Sequence, residues 1–202
     1  MILLLWLSPL SVIPLLVFMS IHVTEGFSTV SSFLGTASFQ YLLIPQWHYH
    51  PLSMGLQIKI RTVGRKNGNE PWLDDAYSMY ETRLSSTLQV ETTWHKNNGD
   101  LIKGISIDQD KGHSIVLLDP TGQTMTSERL TERMYEWLDR GGSRLVFVIG
   151  GAEGLPSELK IPPIYPMLSL SSLTFTHQFA RTLLMEQIYR ATEIRKGSGY
   201  HK

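Results

Sequence analysis

The 202-residue chain has no cysteine. That excludes disulfides, thiolate-ligated zinc and thiol nucleophiles, and it removes the usual mark of an oxidising compartment. Basic residues are missing from the N-terminal part: all 18 Lys and Arg lie from Lys59 onward. Of the 18 acids only Glu25 precedes Met54, so the rest of the chain carries one excess positive charge. A free-standing nucleic-acid binder is usually far more basic, because phosphate neutralisation supplies much of its affinity. An RNA partner would therefore have to be recognised by shape or within a preassembled particle. The dinucleotide GxGxxG, the phosphate-loop GxxxxGK[ST] and the GxSxG nucleophile elbow do not occur, and there are no internal repeats. His48 and His50 lie near the N-terminus, and His95, His113, His177 and His201 are scattered. No metal constellation results, and no metal is expected.

Residues 1 to 23 (MILLLWLSPLSVIPLLVFMSIHV) are almost wholly apolar. Their length approaches the roughly 20 residues that span a bilayer. Pro9 and Pro14 interrupt the run, and no positive charge flanks it, unlike a secretory signal. Residues 24 to 53 are rich in Ser and aromatics and nearly free of acid, which suits an organellar transit peptide better, although Arg is absent. Three readings stand: an organelle-targeting leader, a membrane anchor or signal, and a non-native start. The organelle (chloroplast or mitochondrion) is favoured, with the cytoplasm as the alternative if the leader is not native; a membrane partner is not expected. In each case residues 1–53 stay outside the fold, and a single domain spans 54–202.

From Leu56 the pattern becomes that of an alternating α/β domain. LQIKIRTVG alternates apolar and polar residues at period two and predicts a half-buried strand. Residues 70 to 84 predict a helix with Pro71 in its first turn and Trp72, Ala76, Met79, Tyr80 and Leu84 as its apolar positions. Leu88 to Trp94 predicts a second strand. Gly99, Gly104 and Gly112 break up 95 to 113, where a short helix or a plain loop is expected. SIVLLD, 114 to 119, reads as a buried parallel strand, with Pro120-Thr121-Gly122 as a turn. A helix follows from Ser127 to Arg140, with Leu130, Met134, Trp137 and Leu138 on one face and Gly141-Gly142 as its end. Residues 144 to 149 predict another buried strand. The last helix is expected from Gln178 to Lys196, with Ala180, Leu183, Leu184, Ile188 and Ala191 on its buried face and Arg181 on another. The alternation argues for a mainly parallel sheet with helices on both faces.

The stretch 145 to 181 concentrates the features of a site. One apolar run ends at Gly150-Gly151, and a second ends in the hydroxyl-rich loop from Ser169 to Thr176, directly before the long helix. In parallel sheets ligands bind where strand ends, loop backbone and helix N-termini converge. Leu170, Ser171, Ser172, Leu173, Thr174 and Phe175 offer hydroxyls and backbone amides to an adenine or ribose. Neither loop has an anion-binding Lys, so an uncharged or cationic nucleoside fits better than a polyphosphate. His177 and Arg181 are four residues apart and would face the same loop. The terminal Tyr200-His201-Lys202 puts an aromatic ring, a titratable ring and a cation together, types that stack on and contact RNA.

VFVIGGAEGL, LSLSSLTFTHQFARTLLMEQIYRA and the terminal YHK, with the opening LQIKIRTVGR and the strand-end LLD, closely resemble the RlmH family of SPOUT-class methyltransferases. The resemblance covers roughly residues 54 to 202. It implies a SPOUT-type α/β knot, whose C-terminal part forms a deep trefoil, and a homodimer with each active site near the interface. It implies S-adenosylmethionine as methyl donor and N3 of a pseudouridine in large-subunit rRNA, within the assembled ribosome, as acceptor. Carried over by motif, the cofactor contacts are Leu118, Gly150 and Leu170 to Phe175. Arg181, the Tyr200-His201 tail and, more weakly, His177 are the candidates for holding RNA and handling the N3 proton. Two departures stand out: the crossover at 95 to 113 reads as shortened, and residues 1–53 have no counterpart in the bacterial family. A non-catalytic knotted RNA- or ribosome-binding protein is the alternative.

Overall fold

The computed structural model describes residues 55–66 and 70–202; residues 1–53, read above as a leader, lie outside the described residues. Five strands, β1 (Gln57–Val63), β2 (Gln89–His95), β3 (Ser114–Gln123), β4 (Arg144–Ile149) and β5 (Met167–Leu168), form one sheet in the order β2-β1-β4-β3-β5. Every pairing is parallel. Four helices connect them, α1 (Pro71–Leu84), α2 (Asn98–Asp110), α3 (Ser127–Arg140) and α4 (Ser157–Lys160), and α5 (His177–Lys196) follows the last strand.

The period of two along the strands divides the core into two layers. Ile58, Ile60, Val116, Leu145 and Phe147 face one side and pack with α1, α3 and α5. Ile115, Leu117, Val146 and Val148 face the other and pack with Leu101 and Ile105 of α2 and Leu159 of α4. Burying such side chains contributes roughly 1.5–3 kcal/mol each, which explains why β3 and β4 read as near-continuous apolar runs. Side-chain caps start three helices: Asn97 accepts from Asp100 N, Thr126 from Arg129 N and Thr176 from Phe179 N.

Four expectations are corrected. The crossover at 95 to 113 holds a full 13-residue helix, α2, with Leu101 and Ile105 buried. Gly104 does not break it. A Cβ there would lie 2.5 Å from an Arg61 guanidinium nitrogen, so the glycine makes room for a buried cation. Pro120-Thr121-Gly122 is not a simple turn: β3 runs on to Gln123 and pairs with Leu168 after a register shift. The buried face of α1 is Leu73, Tyr77 and Leu84, whereas Trp72 and Met79 are exposed. Finally, Arg181 of α5, placed by the sequence on a face other than the buried one, is itself buried, 3% exposed. No helix among the described residues is long and apolar enough to cross a membrane.

Candidate active site

Because all strands run the same way, the C-terminal ends of β3, β4 and β5 open on one edge. A cleft of about 580 Å³ lies there. Its walls include Leu118, where the pairing of β3 with β4 ends, Gly150 after β4, and Leu170, Ser171, Leu173, Thr174 and Phe175 after β5. His177, the first residue of α5, closes one side. Ser172 is exposed and does not line the cleft. The two loops adjacent in the site are thus those adjacent to β3 in the sheet, one on each side.

The glycine loop is shaped by contact with itself. Gly151 and Gly154 form an antiparallel bridge, and a Cβ on Gly150 would sit 2.2 Å from the Gly154 carbonyl carbon. No other residue type fits at Gly150 without opening the loop. In the second loop the hydroxyls serve the fold: Ser169 Oγ donates to Ser171 O at 2.9 Å, and Ser171 Oγ accepts from Leu173 N at 3.1 Å. The expected ligand hydroxyls at Ser171 are therefore partly committed, and the backbone of 170 to 175 is the readable surface.

Asp119 lines the cleft beside Leu118 and was passed over in the sequence as a mere strand-end acid. Its Oδ1 accepts from Thr121 N (2.9 Å) and Oγ1 (2.6 Å), and Oδ2 meets Lys160 Nζ at 3.3 Å. Burial alone would raise its pKa, but these bonds hold the carboxyl below its ordinary value. The cleft wall therefore contains an ionised carboxylate whose partner cation, Lys160, is not itself in the lining, and no Lys or Arg is among the described residues lining the cleft.

His177 and Arg181 do not share the cleft. The His177 ring lies against Gly64 and edge-on to Trp94, with centroids 6.2 Å apart and planes at 78°. Burial first, then the charge of Arg181, holds its imidazole below the ordinary value, with Glu70 opposing. Arg181 turns away into a box: its guanidinium carbon is 4.3 Å from the Tyr77 ring centre and 5.0 Å from that of Trp94, and it pairs with Asp74. Two cation–π contacts and an ion pair outweigh exposure for this side chain.

Tyr200 and His201 form a second cluster, further along α5. Tyr200 Oη donates to Glu186 Oε1 at 3.1 Å and stacks edge-on against Tyr189. Arg190 pairs with Glu186 at 2.6 Å and reaches His201 Nδ1 at 3.3 Å. His201 Nε2 bonds Glu128 at 2.7 Å, which lowers the Glu128 carboxyl to about 2. Tyr200 and His201 are not among the residues lining the cleft; Glu186, which holds Tyr200, lies six residues along α5 from the cleft-wall residue Ala180, about 9 Å of helix axis. The sequence reading missed Glu186, Arg190 and Glu128 as neighbours of the tail. The i, i+4 spacing of Glu186 and Arg190 was the available signal. Among the described residues no group of three or more His, Asp or Glu is arranged to hold a metal.

Residues 56–201 match the family model described as "Predicted SPOUT methyltransferase". The "Ribosomal RNA large subunit methyltransferase H" of Protochlamydia amoebophila is 48% identical over 147 residues, 73% of this chain and 99% of that protein. That of Chromobacterium violaceum is 35% identical over 159 residues, with the same two shares. That of Synechococcus sp. is 39% identical over 144 residues, 71% of this chain and 96% of that protein. A parallel α/β sheet with a cleft at its strand ends, matched over nearly all of its described length, makes the chain a member of the SPOUT methyltransferase family.

Proposed function

We propose that this chain transfers a methyl group from S-adenosylmethionine to N3 of a pseudouridine in large-subunit ribosomal RNA. The observation that carries this is the cleft at the ends of β3, β4 and β5, which has an ionised Asp119 and no lining cation among the described residues. A volume of about 580 Å³ falls in the usual range for small-ligand sites. Asp119 is paired with Lys160, which does not itself line the cleft; a wall with an ionised carboxylate and no Lys or Arg of its own suits an uncharged or cationic nucleoside, such as a sulfonium, better than a polyphosphate. Relatives that align over nearly their whole length are large-subunit rRNA methyltransferases, which supports the RNA class.

When bound, S-adenosylmethionine supplies a methyl group on a sulfonium: a nitrogen–carbon bond forms at N3, the carbon–sulfur pair stays on sulfur, and the N3 proton leaves. The chain's own task is alignment and proton removal. Leu118, Leu170 and Leu173 offer apolar cover for an adenine. Gly150 and the backbone of 171 to 175 offer donors and acceptors to its edge. His177, unprotonated at neutral pH, is an acceptor for the N3 proton at the cleft wall. Arg181, enclosed by Tyr77, Trp94 and Asp74, is not available to grip RNA, which revises its expected role.

The Tyr200–His201 cluster does not line the cleft of its own chain. We propose a homodimer in which the tail of one copy, with Glu186 and Arg190, completes the cleft of the other. The trefoil threading of the C-terminal part, the assembled ribosome as substrate, and residues 1–53 as an organelle-targeting leader ahead of a 54–202 domain belong to the same proposal. The near-neutral charge supports a substrate positioned by the particle itself. The experiment is methyl transfer to ribosomes from cells lacking this protein, with the rRNA read by mass spectrometry. Failure of purified chain to add a methyl to a pseudouridine would overturn the reading.

A further inference from the structure

A cation as completely enclosed as Arg181 needs an explanation, because a single buried charge is expensive unless paired. Its partners come from three elements. Asp74 and Tyr77 belong to α1, Trp94 to β2, and Arg181 itself to α5. Tyr77 is anchored in turn by Thr92 Oγ1, which donates to its hydroxyl at 2.9 Å. The same α1–α5 contact is tied by Thr182 Oγ1 donating to Leu73 O at 3.3 Å. Arg181 Nε is buried with no hydrogen-bond partner. The box therefore does not use the full donor capacity of the guanidinium, and a salt bridge alone does not account for it. Trp94 is the shared wall: one side receives Arg181 at 5.0 Å, and the ring meets His177 edge-on at 6.2 Å. His177 is the titratable group on the cleft wall nearest this box.

We infer that Asp74, Tyr77, Trp94 and Arg181 form a positioning unit that fixes the orientation and charge of His177 at the cleft, acting through Trp94 and through the guanidinium charge. This rests on the reading of the cleft as the methyl-donor site. Three influences keep the ring unprotonated: burial, the like charge of Arg181, and the positive end of α5, at whose first residue His177 stands. Facing it from the other elements are Glu70, just before α1, which opposes the effect, and the β1 end, where Gln178 Nε2 bonds the Arg65 carbonyl at 3.3 Å. Asp74 moderates the Arg181 charge by pairing with it. A ring left to rotate or to gain a proton would lose its acceptor nitrogen, so the unit bears on turnover and not on RNA affinity.

The test is nuclear magnetic resonance titration of the histidine rings in the full chain, for wild type, R181M, R181K and D74N. R181M should raise the His177 pKa by removing the like charge. D74N should lower it by leaving that charge unmoderated. R181K should keep it low while moving the His177 ring signals, because a compact ammonium cannot fill the space between Tyr77 and Trp94. His113, in a separate cluster around Asp108, should titrate as in wild type and reports that the fold is intact. If R181M does not fold, R181K and D74N carry the comparison. An unchanged His177 titration in R181M, or shifts of the same sign in R181M and D74N, would overturn the inference. In methyl transfer, R181K should lower kcat by roughly 10² with little change in the KM for ribosomes. A raised KM at unchanged kcat would mean that Arg181 touches RNA directly and would equally overturn it. S-adenosylmethionine binding by wild type is measured in parallel. Its absence would overturn the methyl-donor reading, while the ring titrations still decide whether the unit controls His177.

Discussion

Replacing Asp108 by Asn should remove a large share of the stability of this domain. Asp108 is 1% exposed, and its Oδ2 accepts from Arg61 Nε at 2.7 Å. Its Oδ1 has only Lys59 and His113, each at 3.5 Å. Arg61 is itself 7% exposed, so the amide leaves a buried guanidinium without its counter-ion. Lys59 can fall back on Glu91, 3.2 Å away, but Arg61 keeps only His95 Nε2, at 3.0 Å. Breaking a buried pair on one side costs about 3–5 kcal/mol, against a total of roughly 5–15 kcal/mol for a domain. With a urea slope of roughly 2 kcal/mol per molar, the unfolding midpoint should fall by about 1.5–2.5 M.

The double variant R61M/D108L should recover most of that loss, because both desolvation penalties disappear together. The pH profile gives a second readout. Burial alone would raise the Asp108 carboxyl, but Arg61, Lys59 and His113 hold it below the ordinary value. Its stabilisation is complete above the unfolded carboxylate value, about 3.9, and is lost as pH falls through the lower folded value. His95 and His113 are also held low, by burial first and then by Arg61 and Lys59 respectively, with Asp108 opposing at both. The unfolded chain takes up those protons first, so stability declines as pH drops below about 6.5, and D108N should deepen that decline. A D108N midpoint within about 0.5 M of wild type, or no recovery in the double variant, would refute the account of α2 as a helix pinned by a buried ion cluster.

Other outcomes follow from the same geometry. Gly150→Ala should abolish S-adenosylmethionine binding in calorimetry while the protein stays folded, since the added Cβ collides with the Gly154 backbone. Deleting Tyr200 to Lys202 should leave cofactor affinity intact and stop methyl transfer; wild-type turnover by the deletion would refute the proposed part of the tail. Asp119→Asn should weaken binding of the sulfonium more than that of its neutral thioether product, which competition calorimetry resolves. Methyl transfer should fall as pH drops through the lowered His177 value and stay level above it, since the acceptor is then already unprotonated.

Much of the architecture was legible because it is local. The bounds of α3 and β4 follow from periodicity and from caps such as Thr126, and both coincide with the sequence reading. The strand-end loops were legible as well, since Gly150-Gly151 and the 169–176 segment stand directly after apolar runs. Helix α2 was misjudged because Gly104 was weighed by helix propensity alone. Its reason is the Arg61 guanidinium, supplied by a strand more than 40 residues earlier. The face of α1 was misread for a related cause: its apolar residues go round the helix, and contact with α5 chooses which of them are buried.

The order of strands and helices, the two loops at strand ends and the lack of a Lys within either loop were properties of the sequence by itself, since each depends on neighbours a few residues apart. That Gly150 and Leu118 share a cleft was decided only by the tertiary structure, through the pairing of β4 with β3. The same holds for Arg181, whose box joins it to Asp74 across 107 positions, and for the tail, which docks on Glu186 and Arg190. Periodicity reports how exposed a residue is expected to be along its own element. The partner of a buried charge comes from whichever distant segment packs there, and only the folded chain specifies that segment.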